Sequence, residues 1–223
     1  MLKTVIFDMD GVIIDSEAQH AKASLNTFKE LGVDTDLDYC KSFTGSSSKK
    51  MAETAIKDFS LDITTNALLD KLNLAKKKLH EKEGYIPVEG VDALIKRLYK
   101  DGVQLAIASS SSPKEIETVV KKLGIKKYFE KLVSASSVAN PKPSPDTFLL
   151  ALEKLGAAPE NTVIIEDSTF GVKAAKAANV ACIGFINPNS GNQNLNDADV
   201  LIESFDGIDK TFIENTLLRS QGK

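Results

Sequence analysis

The sequence predicts an α/β fold: a parallel sheet with helices on both faces, interrupted near its start by an inserted helical lobe. Three observations predict it. Short apolar, β-prone runs at 5–7, 104–108, 132–135, 162–165 and 181–185 alternate with helical stretches from residue 84 onward. Residues 33–83 carry apolar positions at helical spacing and no strand-like run. The polar residues that stand out fall where the apolar runs stop, the rim at which parallel α/β sheets bind ligands.

Each element has its own signal. Val5-Ile6-Phe7 reads as a buried strand that stops at Asp8, with Asp10 two residues on and Gly11 allowing a turn that a Cβ would hinder. Strand residues i and i+2 share a face, so Asp8 and Asp10 are expected close together. A helix is expected from about Glu17 to Leu31, closed by Gly32. Beyond it, Met51, Ala55 and Ile56 keep helical spacing, as do Leu68, Leu72, Ala75 and Leu79. Residues 44–48 and 58–65 read as loops. Pro87 and Gly90 mark a connection, after which a helix from Val91 to Lys100 ends at Gly102. The strand at 104–108 ends at Ser109. Ser112-Pro113-Lys114-Glu115 reads as a helix start, with Ser112 as cap and Glu115 closing a capping box. That helix ends at Gly124. The strand at 132–135 precedes the loop Asn140 to Asp146, and the next helix runs to Leu155 and Gly156. The strand at 162–165 ends in Glu166-Asp167, and a helix at 170–178, a strand at 181–185, a weaker strand at 199–202 and a short helix complete the chain. The expected division is a sheet domain of 1–14 with 84–223 and a helical insertion of 15–83.

Composition narrows the function classes. Of 223 residues, 42% are hydrophobic and 26% charged, which is ordinary for a globular protein. The net charge of −3 gives no bulk basic field for nucleic acid or an acidic membrane. The basic run Lys76-Lys77-Lys78 reads first as a solvated helix face. Cys40 and Cys182 lie far apart, form neither a metal-spaced pair nor a disulfide framework, and fit a reducing compartment. No apolar run approaches the roughly 20 residues of a membrane span, and the start of the chain has no signal-peptide core. The expectation is a cytoplasmic protein, monomeric, with no nucleic-acid or membrane partner.

The chemistry follows from the rim. Two carboxylates as close as Asp8 and Asp10 repel unless a cation, a proton or solvent relieves them. Alone, the pair also fits a solvated acidic turn. At the end of an apolar strand a hard divalent cation is the better relief, and oxygen-only ligation points to Mg²⁺. Ser109, the pair Glu166-Asp167 and, from a loop, Lys142 are expected on the same rim. Neither His80 nor Cys40 falls there, which disfavours a Ser-His or Cys-His nucleophile. Four carboxylates, a hydroxyl and an ammonium suit phosphoryl transfer. A carboxylate attacks phosphorus, a cation, Lys and hydroxyl donors hold the equatorial oxygens, and a second carboxylate moves the proton. Backbone N–H groups in the Gly11 turn, at Ser110 and at the helix start after Ser109 would add donors.

These residues resemble the haloacid dehalogenase superfamily, over essentially the whole chain. The signature Asp-x-Asp-Gly-Val appears as Asp8-Met9-Asp10-Gly11-Val12, the strand-end serine as Ser109, the lysine segment as Lys142-Pro143-Ser144-Pro145-Asp146, and the acidic pair as Glu166-Asp167-Ser168 followed by Gly171. The resemblance implies a Rossmann-like core and a role for each position. Asp8 would be the nucleophile and a Mg²⁺ ligand. Asp10 would be the general acid/base, with its backbone carbonyl on the metal. Ser109 and Lys142 would bind the transferring phosphate, Asp167 would ligate Mg²⁺, and Glu166 would ligate it or support it. The helical insertion looks like the small cap of the β-phosphoglucomutase-like branch, which excludes water and carries specificity.

Phosphatase and mutase share this core. His20 sits where β-phosphoglucomutase carries a histidine, Gly45 matches a glycine of its cap loop, and Lys76 or Lys77 matches its cap lysine. Against this, the cap loop reads Gly45-Ser46-Ser47-Ser48-Lys49 without the mutase arginine, and Ser110-Ser111-Ser112-Pro113 replaces a Ser-Lys-Asn-like stretch. A mutase must grip two phosphates, and both cationic donors are missing. The sequence therefore favours a phosphatase for a small phosphate monoester such as a sugar phosphate, with Ser46 among the cap positions facing substrate. Dehalogenase chemistry has no need of the acidic pair, and a non-catalytic binding module has no need of an intact motif set. The Asn- and Gly-rich stretch 187–196 reads as a surface loop and is assigned no function.

Overall fold

The computed structural model describes residues 1–43 and 48–222. In chain order, β1 (Thr4–Phe7) is followed by α1 (Glu17–Glu30), α2 (Leu37–Lys41), α3 (Ser48–Asp58) and α4 (Thr65–Glu83). Then come α5 (Val91–Lys100), β2 (Gln104–Ser109), α6 (Pro113–Lys122), β3 (Lys131–Ser134) and α7 (Asp146–Leu155). β4 (Thr162–Glu166), α8 (Thr169–Ala177), β5 (Ala181–Phe185), β6 (Val200–Ile202) and α9 (Lys210–Ser220) complete the order. The chain divides into two compact units, Met1–Asp15 with Pro87–Lys223, and Ser16–Ile86. No helix among the described residues is long and apolar enough to cross a membrane.

In the first unit six parallel strands form one sheet in the order β3-β2-β1-β4-β5-β6. This is the expected α/β architecture, a Rossmann-like winding whose strand order reverses between β1 and β4. Phe7, the last residue of β1, pairs in register with Ile107 of β2 and Ile165 of β4, and those two strands run on to Ser109 and Glu166. Alternation divides the apolar side chains between the faces. Ile6, Ala106, Ala108, Ile164 and Cys182 share one core with Phe148, Ala151 and Leu152 of α7 and Val172 and Ala175 of α8. The alanines of β2 let α7 approach closely. Helices α5, α6 and α9 contact the sheet through β2, β3, β4 and β5. Their buried residues keep the helical interval, as in Val91, Leu94, Ile95 and Leu98 of α5. The expected cap of α6 is present: the Glu115 amide donates to Ser112 Oγ at 3.3 Å. Two strands run one residue past their apolar runs, because the ladder continues through Ser109 opposite Ser134 and Glu166 opposite Gly184. Backbone pairing, not side-chain hydrophobicity, sets those ends.

The second unit is helical, with a core of its own built from Ala21, Phe28, Val33, Cys40, Met51, Ala52, Ala55, Leu68 and Leu72. The rings of Phe28, Tyr39, Phe43 and Phe59 pack edge-on or tilted at 4.9–6.2 Å. Asp36 and Thr64 cap α2 and α4 by accepting from the amides of Tyr39 and Ala67.

Candidate active site

The β1–β4 ladder continues one step beyond β1, where the Asp8 amide donates to the Ile165 carbonyl at 3.0 Å. Asp8 therefore stands at the strand end, 6% exposed. Buried Met9 anchors the tight turn that follows, its carbonyl accepting from the amides of Ile13 and Ile14 at 2.8 and 3.0 Å. Gly11 has φ +82°, and a Cβ there would collide with the Asp167 carboxylate. Glycine is required twice over, for the backbone angle and for the space.

Lys142 arrives from the loop after β3. Its ammonium donates to Asp8 Oδ1 at 2.5 Å, Glu166 Oε1 at 2.7 Å and the Ala108 carbonyl at 3.2 Å, and lies 4.6 Å from the Phe148 ring centroid. Three donors meet three acceptors, and all three side chains are buried. Glu166 has its other oxygen engaged as well: Oε2 accepts from the Ser168 amide at 2.8 Å and Oγ at 3.0 Å. Ser168 in turn caps α8 by accepting from the Gly171 amide at 3.0 Å, and a Cβ at Gly171 would strike the Glu166 carboxylate. The acidic pair thus splits into two environments. Glu166 is enclosed by Lys142 and the first turn of α8, whereas Asp167 turns toward Gly11 and accepts from Ser190 Oγ.

Asp10 is held from β2. Ser111 Oγ donates to Asp10 Oδ2 at 2.7 Å and Ser109 Oγ at 3.5 Å, while the Ser111 amide donates to Ser109 Oγ at 3.0 Å. Ser134 Oγ braces this turn by donating to the Ser111 carbonyl at 2.7 Å. Ser110, expected at the phosphate, is exposed at the end of β2.

Four carboxylates and one ammonium leave an excess of negative charge. Burial pushes the Asp8 carboxyl up from 3.8 to about 8; Lys142 pulls it down, and Glu166 and Asp10 push it further up. Burial works against the Lys142 ammonium, but Asp8 and Glu166 outweigh it and hold the group well above the ordinary lysine value. An oxygen-only donor set whose nucleophile candidate would otherwise keep a proton at neutral pH fits a hard divalent cation.

The remaining expected positions belong to the helical unit. His20 on α1 lies edge-on to His80 at 6.0 Å, and His80 stacks on Tyr85 at 4.4 Å. Lys76 is half-buried on α4, and Lys77 pairs with Glu81 at 3.7 Å along an exposed face. Gly45 and Ser46 lie outside the described residues.

The stretch 187–196, read as a surface loop with no function assigned, is exposed at most of its positions but sends two side chains to the rim. Asn187, Ser190 and Leu195 are buried, Asn187 Nδ2 donates to the Gly11 carbonyl at 2.8 Å, and Ser190 reaches Asp167. Asn and Ser are common in exposed turns, which is why composition misled. The usable signal was position: the stretch begins where β5, the neighbour of β4, reaches the ligand-binding rim. Ser111 carries no signal of its own, because four serines stand in a row at 109–112 and only the turn after β2 selects the one that reaches Asp10.

Residues 5–185 match the model of the haloacid dehalogenase-like hydrolase family. The chain belongs to that family. Among curated relatives, the chain is 31% identical over 212 residues to the phosphorylated carbohydrates phosphatase of Thermotoga maritima, covering 91% of each. It is 31% identical over 180 residues to the fructose-1-phosphate phosphatase YqaB of Escherichia coli K12, covering 80% of this chain and 94% of that one. The structure of CbbY from Rhodobacter sphaeroides with phosphate superposes with a TM-score of 0.85 at 26% identity, covering 96% and 100% of the two chains. β-Phosphoglucomutase of Clostridium difficile shares the fold, with a TM-score of 0.84 at 23% identity over the full length of both chains. As a haloacid dehalogenase-like hydrolase with relatives named as phosphatases, the protein is an enzyme of the phosphatase type.

Proposed function

We propose that the protein is a Mg²⁺-dependent phosphatase of sugar phosphates that works through an aspartyl-phosphate on Asp8. The observation that carries this is the buried Asp8–Lys142–Glu166 cluster at the carboxyl ends of β1 and β4, with hydroxyl-bonded Asp10 two residues beyond the nucleophile. An Asp8 carboxylate oxygen attacks phosphorus and the bond to the sugar oxygen breaks, that oxygen taking the proton from Asp10. Water then attacks phosphorus, Asp10 takes its proton, and inorganic phosphate leaves with the Asp8 carboxylate restored. Lys142 holds Asp8 in position and supplies positive charge beside the transferring group, while Ser109 and the amides of the Gly11 and Ser110 turns offer it donors. Asp8 and Asp167, with the Asp10 carbonyl, would hold Mg²⁺, which when bound offsets the charge between nucleophile and phosphate. Glu166, with both oxygens engaged, serves Lys142 rather than the metal. The helical unit supplies substrate selection, with His20 and Lys76 among its contributors.

Relatives named for phosphorylated carbohydrates and for fructose 1-phosphate support the substrate class, as does the CbbY structure containing xylulose-1,5-bisphosphate. The test is phosphate release from a panel of sugar phosphates with Mg²⁺ and with a chelator, for the wild type and Asp8→Asn. Release by the wild type with Mg²⁺ alone is expected. Supplying β-glucose 1-phosphate with a bisphosphate activator separates the mutase reading: glucose 6-phosphate without free phosphate would overturn hydrolysis.

A further inference from the structure

The loop after β5 makes an internal hydrogen-bond web. The Ser190 amide donates to the Asn187 carbonyl at 3.1 Å, the Asn189 amide to Asn187 Oδ1 at 2.8 Å, and Gln193 Nε2 to the Ser190 carbonyl at 3.0 Å. Gln193 Oε1 accepts from the Thr169 amide at 3.0 Å, tying the loop to the start of α8. Asn189 Nδ2 donates outward to Asp15 Oδ2 at 2.6 Å, and two further side chains of the loop point at one place. Asn187, 6% exposed, donates to the Gly11 carbonyl, and Ser190, 2% exposed, donates to Asp167 Oδ2. The Asp167 carboxylate lies against Gly11 on its other side, where no Cβ would fit. One loop therefore fixes both walls around Asp167: the hydroxyl that holds its oxygen, and the turn it rests on.

We infer that Ser190, with Asn187, is a positioning residue for the divalent cation, setting the plane of the Asp167 carboxylate so that it is presented as a ligand without rearrangement. The inference rests on the phosphatase reading, in which Asp167 is that ligand. Hydrogen-bond partners behind a ligating carboxylate are worth about 10–100-fold in metal affinity. A residue that only stabilised the fold would change the melting temperature of the metal-free protein and leave metal affinity alone.

The experiment is Mn²⁺ binding by the full chain, read from the paramagnetic resonance signal of the free ion, together with the melting temperature of the metal-free protein. Ser190→Ala is expected to weaken Mn²⁺ binding about tenfold or more, with the metal-free melting temperature lowered by only a few degrees, as for one lost buried hydrogen bond. The Mg²⁺ concentration that half-saturates turnover should rise by a similar factor. Ser190→Cys, which keeps the shape but donates weakly, should follow Ser190→Ala and guards against a misfolded variant. Wild-type affinity in both variants overturns the inference while leaving the phosphatase reading intact. A wild type that binds no Mn²⁺ overturns both.

Discussion

Lys142 joins the chemistry to the fold. It is the one cation named in the cluster, and its three donors are spent on Asp8, Glu166 and Ala108. Replacing it by methionine keeps much of the volume and leaves two buried carboxylates without a counter-charge, a change that costs about 3–5 kcal/mol when one half of a buried pair is removed. Lys142→Met should abolish phosphate release and lower the melting temperature; a variant as stable as the wild type would show that the pair is not a buried one. Gly171→Ala tests the same cluster from behind. The added methyl meets the Glu166 carboxylate, so turnover should fall at least tenfold by displacing Lys142. Unchanged turnover would mean that Glu166 does not position the lysine. The pH dependence belongs to Asp8, whose carboxyl is raised from 3.8 to about 8. The folded chain keeps a proton that the unfolded chain loses above the lower value. This group's stabilising contribution is therefore whole below that value and lost as pH rises toward the upper one. A cation that replaces the proton removes the cost. The rise in melting temperature produced by Mg²⁺ should be larger near pH 8 than near pH 6, and a rise that shrinks with pH would contradict the assignment.

Elements and loops carry these residues with unequal legibility. β1, β4 and α8 were readable because an apolar run, an acidic stop and a cap follow directly in sequence, and each acts locally. Ser168 does two things there, capping α8 through Gly171 and accepted by Glu166 as a donor. Ser168→Ala should cost about 1–2 kcal/mol as a cap and should also reduce turnover, whereas an ordinary cap would affect stability alone; denaturant unfolding beside an assay of phosphate release separates the two. The loop after β5 was illegible because its importance is wholly tertiary. Asn187 and Ser190 matter only once the sheet has brought residue 187 to residue 11 and residue 190 to residue 167, separations of 176 and 23 positions. Glu166 shows a subtler case. Its place on the rim was predictable, but its engagement with Lys142, Ser168 and Gly171 depends on how α8 meets β4.

The protein as a whole is two compact units on one chain. The sheet unit holds every residue of the cluster around Asp8, and the helical unit has a separate core around Phe28. Phe28→Ala removes a fully buried ring and should cost about 3–5 kcal/mol in the helical unit. If the helical unit supplies selection, that variant should lose discrimination among sugar phosphates before it loses hydrolysis of p-nitrophenyl phosphate; equal loss of both would tie the two units into one catalytic body. Every step proposed for the sheet unit presupposes that carboxylates from distant segments share one metal ion. A crystal grown with Mg²⁺ examines this. The expected result is a single ion within about 2.0–2.1 Å of an oxygen from each of Asp8 and Asp167. Carboxylates too far apart to share an ion, or an ion bound elsewhere, would contradict it.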